Sequence, residues 1–447
     1  MTEQESAKPR VAGEGSFVPA APKNIAETGL NMGLIGDLIL KVLYYEGYML
    51  ATRLAEEVCL PFTGIVDETL EFLKRERLIE VKGTSGGLRE SAYQYSITER
   101  GLERAQALLD RSQYVGAAPV PLEVYAKAVR AQSVRGVFVT PPMVREALAH
   151  LVLDDAIIDR VGPAVNAGQS LFLFGAPGNG KTSIAEAIGR IILRGAIYIP
   201  RSIIVGGQIV QLYDIVSHRL AGDDNARNVD PRWVRVHRPN IVVGGELTLE
   251  TLDLVYNPTA RFYEAPFQLK ANGGMLLIDD FGRQLVRPSD LLNRWIIPLE
   301  KAVDYLTLHT GRKIEVPFDV LLIFSTNLAP QDLVDEAFLR RIRHKLEITD
   351  PNFEQYREIF RRVCQARGVP YEDSALAYLL QEHYIKQNNP LRACHPRDLI
   401  DQLIGIARFR GIQPRLTKEL IDRAWEAYFV DLSGGKAARE GVAAARA

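Results

Sequence analysis

The chain has 447 residues, a formal net charge of -1 and 24% charged residues. Its length therefore predicts several domains, and its balanced charge argues against a surface built throughout for nucleic acid. Three cysteines without pairing or metal-ligand spacing argue against a disulfide framework or a zinc site and favour a reducing, cytoplasmic compartment. No apolar run approaches the roughly 18 residues that would predict a membrane-spanning helix.

The N-terminal quarter predicts a lead followed by a small α+β domain. Residues 1–28 are rich in Ala, Pro, Gly and Glu without a hydrophobic period, which predicts a disordered lead. Over 29–112, helical spacing at 34–43, 54–58 and 65–77 is followed by alternating strands at 79–81 and 93–97. Three helices and a β-hairpin resemble a winged-helix domain, a type that often places its third helix in the DNA major groove.

The charges of the third helix leave two types of partner open. Asp67, Glu68 and Glu71 lie in its first half, where they would repel a polyanion, and this favours docking of a protein. Lys74, Arg75 and Arg77 in its second half keep DNA binding as the alternative.

Residues 113–164 predict a Pro/Ala linker at 115–121 and two lead-in helices. Further on, Ala196–Ile199 predicts the strand that follows the apolar strand at 171–174. The paired glycines at 206–207 and 244–245 predict hairpins or bulged strands within an insertion between 182 and 275. Residues 432–447 are small and polar and predict a flexible tail.

The stretch from Gly175 to Thr182 has the pattern G-x-x-x-x-G-K-[ST], between an apolar strand at 171–174 and a helical pattern. Such a loop surrounds phosphates with backbone N–H groups, its Lys reaches the outer phosphates, and its Thr hydroxyl can hold Mg²⁺. The predicted ATP-binding residues are Gly175, Pro177, Gly178, Asn179, Gly180, Lys181, Thr182 and Ser183.

Polar side chains also end two later apolar strands. Asp279 and Asp280 follow the strand that begins at Met275, and in phosphate-loop enzymes the first acid of such a pair holds Mg²⁺. Asp280 is predicted to orient and deprotonate the attacking water. Asn327 follows the strand from Leu321 and could bind the γ-phosphate or that water, although a turn-forming Asn is the alternative.

Several arginines follow these strands. Arg340, Arg341 and Arg343 need anionic partners or solvent, and at a subunit boundary one could reach the neighbour's γ-phosphate. From 351 the pattern is helical, with Pro396 and Arg397 at a helix start. Arg397 could touch the nucleotide from this helical lid.

These motifs in this order resemble an AAA+ ATPase over about 165–430. The resemblance implies Walker A at 175–182, Walker B at 275–280, sensor 1 at Asn327, an arginine finger at Arg341 with Arg340 beside it, and sensor 2 at Arg397. It also implies an α/β core over 165–350 with a parallel sheet, a lid over 351–431, and a homo-oligomer, most often a hexamer.

The segment 304–318 is similar to the hairpin of the pre-sensor-1 β-hairpin clade, which includes magnesium-chelatase-like and enhancer-binding ATPases. Asp280 departs from the Glu that most of the family carries, and the G-A-F-T-G-A loop of enhancer-binding activators is absent from the sequence. We therefore expect Mg²⁺-dependent ATP hydrolysis by a ring that remodels a protein client, with pore contacts near 206–207 or 304–318. A DNA motor or transcription regulator and a nucleotide-gated scaffold are the alternatives.

Overall fold

The computed structural model describes residues 17–84, 90–168, 170–192, 195–222, 228–333 and 340–429. Residues 1–16 of the predicted lead and the predicted tail from 432 lie outside these ranges. For 17–28 the prediction of a disordered lead is wrong. The Asp230 amide donates to the Pro19 carbonyl, the Ala21 amide donates to the Asn228 carbonyl, and Phe17 packs edge-on against Trp233. Because these partners lie some 200 residues away, a local composition bias could not show them.

An α+β unit follows, in which the predicted helices and β-hairpin are confirmed. Its three antiparallel strands lie in the order β1-β3-β2, and its helices enclose a core around Ile35, Leu54 and Leu73. The Thr98 hydroxyl accepts from the Gly101 amide and caps α5. The elements are α1 Ile25–Thr28, α2 Met32–Glu46, β1 Tyr48–Leu50, α3 Ala51–Glu57, α4 Asp67–Arg75, β2 Ile79–Thr84, β3 Tyr93–Ile97 and α5 Glu99–Leu109.

The predicted Pro/Ala linker is instead part of the folded core. Ala118 and Val120 are fully buried, and Val120–Pro121 forms strand β4, which pairs in parallel with a strand of the insertion. The Tyr114 hydroxyl donates to the Ala117 carbonyl at 2.8 Å. Small residues here allow close packing of two units rather than separation. Three helices follow where two lead-in helices were predicted, namely α6 Leu122–Ala131, α7 Pro141–Leu148 and the additional α8 Asp155–Ala167.

The central sheet has five parallel strands in the order β10-β13-β16-β5-β17. Apolar helix faces cover it, and Leu173, Leu277 and Ile323 are fully buried between them. The predicted α/β fold with a parallel sheet and a helical lid is confirmed. The strands are β5 Leu171–Phe174, β10 Asn240–Val243, β13 Met275–Ile278, β16 Leu321–Thr326 and β17 His344–Glu347; the helices beside them are α9 Lys181–Ile192, α10 Phe267–Lys270, α11 Pro288–Lys301 and α12 Pro330–Leu333.

Two predictions about the insertion need correction. Ala196–Pro200 is a strand, but it pairs antiparallel with Trp233–His237 outside the parallel sheet. The strand next to Met275–Ile278 is instead Asn240–Val243, which we had predicted as a hairpin or bulged strand. Both segments carry β-branched residues, so β propensity alone could not tell which one joins the sheet.

The rest of the insertion forms a second five-stranded sheet in the order β11-β12-β8-β7-β4, which packs on the α+β unit. The hairpin predicted at 206–207 is confirmed, with both glycines at positive φ. The insertion strands are β6 Ala196–Pro200, β7 Ser202–Val205, β8 Gln208–Gln211, β9 Trp233–His237, β11 Val255–Asn257 and β12 Phe262–Glu264.

The hairpin predicted within 304–318 is also confirmed, as β14 Val303–Thr307 and β15 Lys313–Pro317. Its inner face, with Leu306 and Ile314, packs into the core of the insertion. At its tip His309 stacks on Tyr256, with ring centroids 4.4 Å apart. The hairpin is therefore held along its length by the second sheet.

The lid is helical, as expected, around a core that includes Phe360, Leu403 and Trp425. His395 is buried, and its Nδ1 forms a hydrogen bond with the Tyr384 hydroxyl at 2.9 Å. No helix among the described residues is long and apolar enough to cross a membrane. The lid helices are α13 Phe353–Arg367, α14 Asp373–Leu379, α15 His395–Phe409 and α16 Lys418–Tyr428.

Candidate functional site

The phosphate loop joins β5 to the N-terminus of α9. Gly175, Gly178 and Gly180 have φ values of +137°, +84° and +83°, a region that side-chain-bearing residues rarely adopt. A Cβ on Gly175 would lie 2.2 Å from the Ile348 carbonyl oxygen. The glycines are therefore required both by the curl of the backbone and by its approach to the chain after β17.

Lys181 is buried at the first position of α9. Its Nζ donates to the carbonyls of Gly175 and Ala176, at 3.0 and 2.9 Å, and to Asn327 Oδ1 at 2.7 Å. Burial lowers the pKa of the ammonium group, while the Asp280 and Asp279 carboxylates oppose that shift. The cation is thus held inside the loop, where it can meet phosphate oxygens.

Thr182 and Asp279 supply adjacent oxygen atoms. The Thr182 hydroxyl lies 3.2 and 3.0 Å from the two carboxylate oxygens of Asp279 and donates to them. One hydroxyl and one carboxylate suit Mg²⁺, which takes few protein ligands and completes its shell with water and phosphate. No group of three or more His, Cys, Asp or Glu that could hold a metal ion occurs in the described part of the chain.

Asp280 and Asn327 form a second pair beside Lys181. Asn327 Nδ2 donates to Asp280 Oδ1 at 3.2 Å, so the Asn side chain joins Lys181 to Asp280. Asp280 has a positive φ of +48° and an exposed side chain at the edge of the cleft. A carboxylate in this position can accept a proton from water above the phosphate loop.

The loop opens into a cleft of about 580 Å³ between the parallel sheet and the lid. Arg397 lies in this cleft, as expected for a lid residue that contacts nucleotide, and its Nε donates to Asp398 Oδ1 at 3.0 Å. Pro177 and Ser183 also line it. The predicted ATP-binding residues are thus brought together around the cleft. The exception is Gly175, which is not among the described residues that line it.

The sequence did not reveal several parts of the cleft. Residues 150–153, after α7, line one wall, and Arg362 of α13 reaches the cleft while donating to the Ala149 carbonyl. The apolar run Leu151-Val-Leu153 is a usable signal, since it lies within the stretch 113–164 that predicts the lead-in helices. Nothing in the sequence distinguishes Arg362 from the other arginines of its helix.

Arg340 and Arg341 lie outside the cleft. Arg341 Nε donates to Glu300 Oε1 at 2.5 Å, at the end of α11, and neither arginine is among the described residues that line the cleft. The sequence also predicts a short helix just before these arginines, and the stretch 334–339 lies outside the described residues. A single chain therefore does not bring either arginine to its own Lys181.

The matching protein family is described as "Domain of unknown function (DUF8689)" and covers residues 352–427, the lid. No curated protein matches the chain. Among solved structures, the RuvB Holliday junction branch migration motor from Thermotoga maritima is 13% identical, with a TM-score of 0.36 over 65% of this chain and 74% of that one. NtrX from Brucella abortus in complex with ADP is 15% identical, with a TM-score of 0.37 over 72% of this chain and 65% of that one. At such values the likeness concerns the fold alone, and no function follows from it.

Proposed function

We propose that the protein is an ATPase of the AAA+ type that hydrolyses ATP with Mg²⁺. The observation that carries this proposal is the convergence of Lys181, Thr182, Asp279, Asp280 and Asn327 at the carboxyl edge of one parallel sheet. Ligands of open α/β sheets bind outside this edge.

Each group has a role in phosphoryl transfer. The loop N–H groups and Lys181 bind the β- and γ-phosphates, and Thr182 and Asp279 would hold Mg²⁺, which neutralises charge on the phosphate oxygens. Asn327 and Asp280 position a water molecule in line with the bond to be broken. The water oxygen bonds to the γ-phosphorus, the bond to the ADP oxygen breaks, and the water proton passes to the Asp280 carboxylate.

We propose further that the enzyme acts as a homo-oligomer, with a hexamer as the expected size. Arg341 lies outside its own cleft, paired with Glu300, and a neighbouring subunit would receive it as the finger that stabilises charge on the γ-phosphate. Where such fingers are known they contribute roughly 10³ to 10⁵ in rate. Arg340 is the second candidate for this role.

The test is ATP turnover against protein concentration for wild type, Lys181→Ala and Arg341→Ala. Specific activity should rise with concentration, both variants should be inactive, and Arg341→Ala mixed with wild type should lower turnover more than dilution does. Arg130→Ala, an exposed arginine at the end of α6, is the control and should match wild type. Turnover that is independent of concentration and survives Arg341→Ala would contradict the finger in trans.

The α+β unit supports the proposal of a winged-helix domain that binds a protein client. In α4, Lys74 pairs with Glu71 at 3.1 Å, and no lysine or arginine lies in the first half of the helix. The first half of this helix therefore has no lysine or arginine side chain that could pair with the phosphates of a DNA backbone. Duplex DNA binding that falls steeply between low and physiological salt would instead favour the DNA motor or regulator.

Client remodelling would use the surface where two hairpins meet. A Cβ on Gly206, at the β7–β8 turn, would lie 3.2 Å from Arg312 Nη1 at the tip of β14–β15. The two predicted pore segments therefore form one proposed contact surface.

Turnover that stays low whatever polymer is added would favour the nucleotide-gated scaffold. The free thiols of Cys59, Cys364 and Cys394 agree with the proposed cytoplasmic location.

A further inference from the structure

The tip of the phosphate loop is bonded to the lid as well as to its own helix. Asn179 is 5% exposed. Its Nδ2 donates to Asp350 Oδ1 at 2.7 Å, and its Oδ1 accepts from the Ala393 amide at 3.2 Å. Both ends of the side-chain amide are therefore engaged by protein groups, which leaves this side chain a link between elements rather than a ligand for phosphate.

Neighbouring contacts strengthen the same link. The Cys394 amide donates to the Gly178 carbonyl at 2.9 Å, and the Arg392 guanidinium pairs with the Asp350 carboxylate that Asn179 contacts. A Cβ on Gly178 would lie 2.5 Å from Cys394 Sγ. The loop tip and the lid segment 392–394 thus touch without spare volume.

Asp350 lies at the junction between the parallel sheet and the lid, so these contacts can affect the position of the lid. It lies between the end of β17 at Glu347 and the start of α13 at Phe353, where the chain passes from the parallel sheet into the lid. Arg397, which lines the cleft, lies five residues after Arg392, on the first turn of α15. A change in the bonds of this junction therefore changes where Arg397 lies relative to bound nucleotide.

We propose that Asn179, Asp350 and Arg392 form a clamp that couples the phosphate loop to the angle of the lid, and so couples ADP release to lid opening. This inference rests on the proposed nucleotide site and adds a regulatory link to it. Because Asn179 is buried, separating it from Asp350 and Ala393 would leave polar groups without partners. The loop and the lid therefore move together, or the clamp breaks and the lid opens.

The test measures binding and dissociation of mant-ADP on the full chain. Asn179→Ala and Asp350→Ala should each weaken affinity about tenfold, the effect of a lost hydrogen bond to a charged group, and should speed dissociation. Asp350 is not among the described residues that line the cleft, so its effect must pass through the clamp. The double variant should lose little more than the worse single one, because both remove the same link.

Two further variants separate the clamp from general stability. Asp350→Asn keeps the acceptor for Asn179 but weakens the pair with Arg392, so it should lose less affinity than Asp350→Ala. Asn352→Ala removes the capping box of α13 without touching the loop, so it should lower the melting temperature and leave mant-ADP affinity unchanged. Wild-type affinity and dissociation in Asp350→Ala, or losses that multiply in the double variant, would overturn the clamp.

Failure of the nucleotide site itself would be recognised separately. If wild type does not bind mant-ADP, the proposed ATPase function fails, and hydrogen exchange without nucleotide still decides the clamp. Asn179→Ala should then speed exchange over 392–397, whereas Asn352→Ala should speed it only at the start of α13. Unchanged exchange over 392–397 in Asn179→Ala would contradict the coupling.

Discussion

The nucleotide core and the insertion are both β-rich, but different kinds of interaction organise them. In the core, several candidate site residues come directly after buried strands, as Asp279 follows β13 and Asn327 follows β16. In the insertion, strands pair with distant segments, as Val120 pairs with Ile203. Short local motifs therefore specify the nucleotide site, whereas contacts between distant segments specify the insertion and its packing on the α+β unit.

The largest effect on that surface should come from its buried ion pair. Arg232 and Asp230 have side chains 3% and 4% exposed, and Arg232 Nη1 also donates to the Thr28 carbonyl. Arg232→Ala leaves the Asp230 carboxylate buried without its partner and should destabilise the insertion by about 3–5 kcal/mol. Hydrogen exchange over β9, Trp233–His237, would measure the loss.

A matched control for this prediction is Arg145→Ala. Arg145 pairs with Asp155 at 2.5 Å, but both side chains are more than half exposed. Solvent-exposed pairs contribute little, so this variant should leave exchange over α7 and β9 at the wild-type level. Equal effects of the two substitutions would contradict the role of burial.

A second prediction concerns pH and the lid. The pKa of His395 is lowered to about 4, chiefly by burial of the imidazole and secondly by the nearby Arg392 cation, while the Asp398 and Asp350 carboxylates act in the opposite direction. The Tyr384 hydroxyl oxygen lies 2.9 Å from His395 Nδ1. The unfolded state therefore binds more protons between the two pKa values, and stability is lost as pH falls from about 6.5 to 4. The loss should be on the order of 2–3 kcal/mol.

The measurement is the difference in unfolding free energy between wild type and His395→Gln across that range. The variant should lose the pH-dependent part that belongs to this imidazole while other groups continue to titrate. A constant difference from pH 7 to pH 4 would show that His395 does not carry the effect.

The smallest expected effect lies at the junction of the α+β unit with the insertion. The Tyr114 hydroxyl donates to the Ala117 carbonyl at 2.8 Å and lies 2.9 Å from Ser202 Oγ. Tyr114→Phe should cost about 1–2 kcal/mol because it removes two buried hydrogen bonds and leaves the Ser202 hydroxyl and the Ala117 carbonyl only their mutual contact at 3.5 Å, measurable as urea unfolding. Tyr305→Phe, whose hydroxyl meets Glu315 at the surface, is the control and should leave the midpoint unchanged.

The sequence predicted the core well because its signals are local. The glycine spacing, Lys181 and the acids after β13 each follow from a short stretch of chain, and the structure brings them within hydrogen-bonding distance of one another or of a shared partner. The roles of these residues remain predictions. The links between the phosphate loop and the lid join residues that are far apart in the chain, as Asn179 and Asp350 are 171 positions apart. No local sequence pattern predicts such contacts.

The segments around the core were predicted less well for the same physical reason. The Ala- and Pro-rich stretch 115–121 has the composition of a linker, yet Ala118 and Val120 are fully buried. Asn240–Val243 joins the parallel sheet because it fits beside Met275–Ile278, a choice that depends on tertiary packing rather than on β propensity.

The proposed ATPase site is tested most directly by single-turnover ATP hydrolysis by Asp280→Asn beside wild type, with mant-ATP affinity measured on the same samples. The substitution keeps the shape and the acceptor for Asn327 but removes the carboxylate that takes the proton. Affinity should stay within about threefold, while hydrolysis should fall by roughly 10² to 10⁴, as expected for loss of a general base. Hydrolysis at the wild-type rate in Asp280→Asn would contradict the assignment of this site as the catalytic centre of an ATPase.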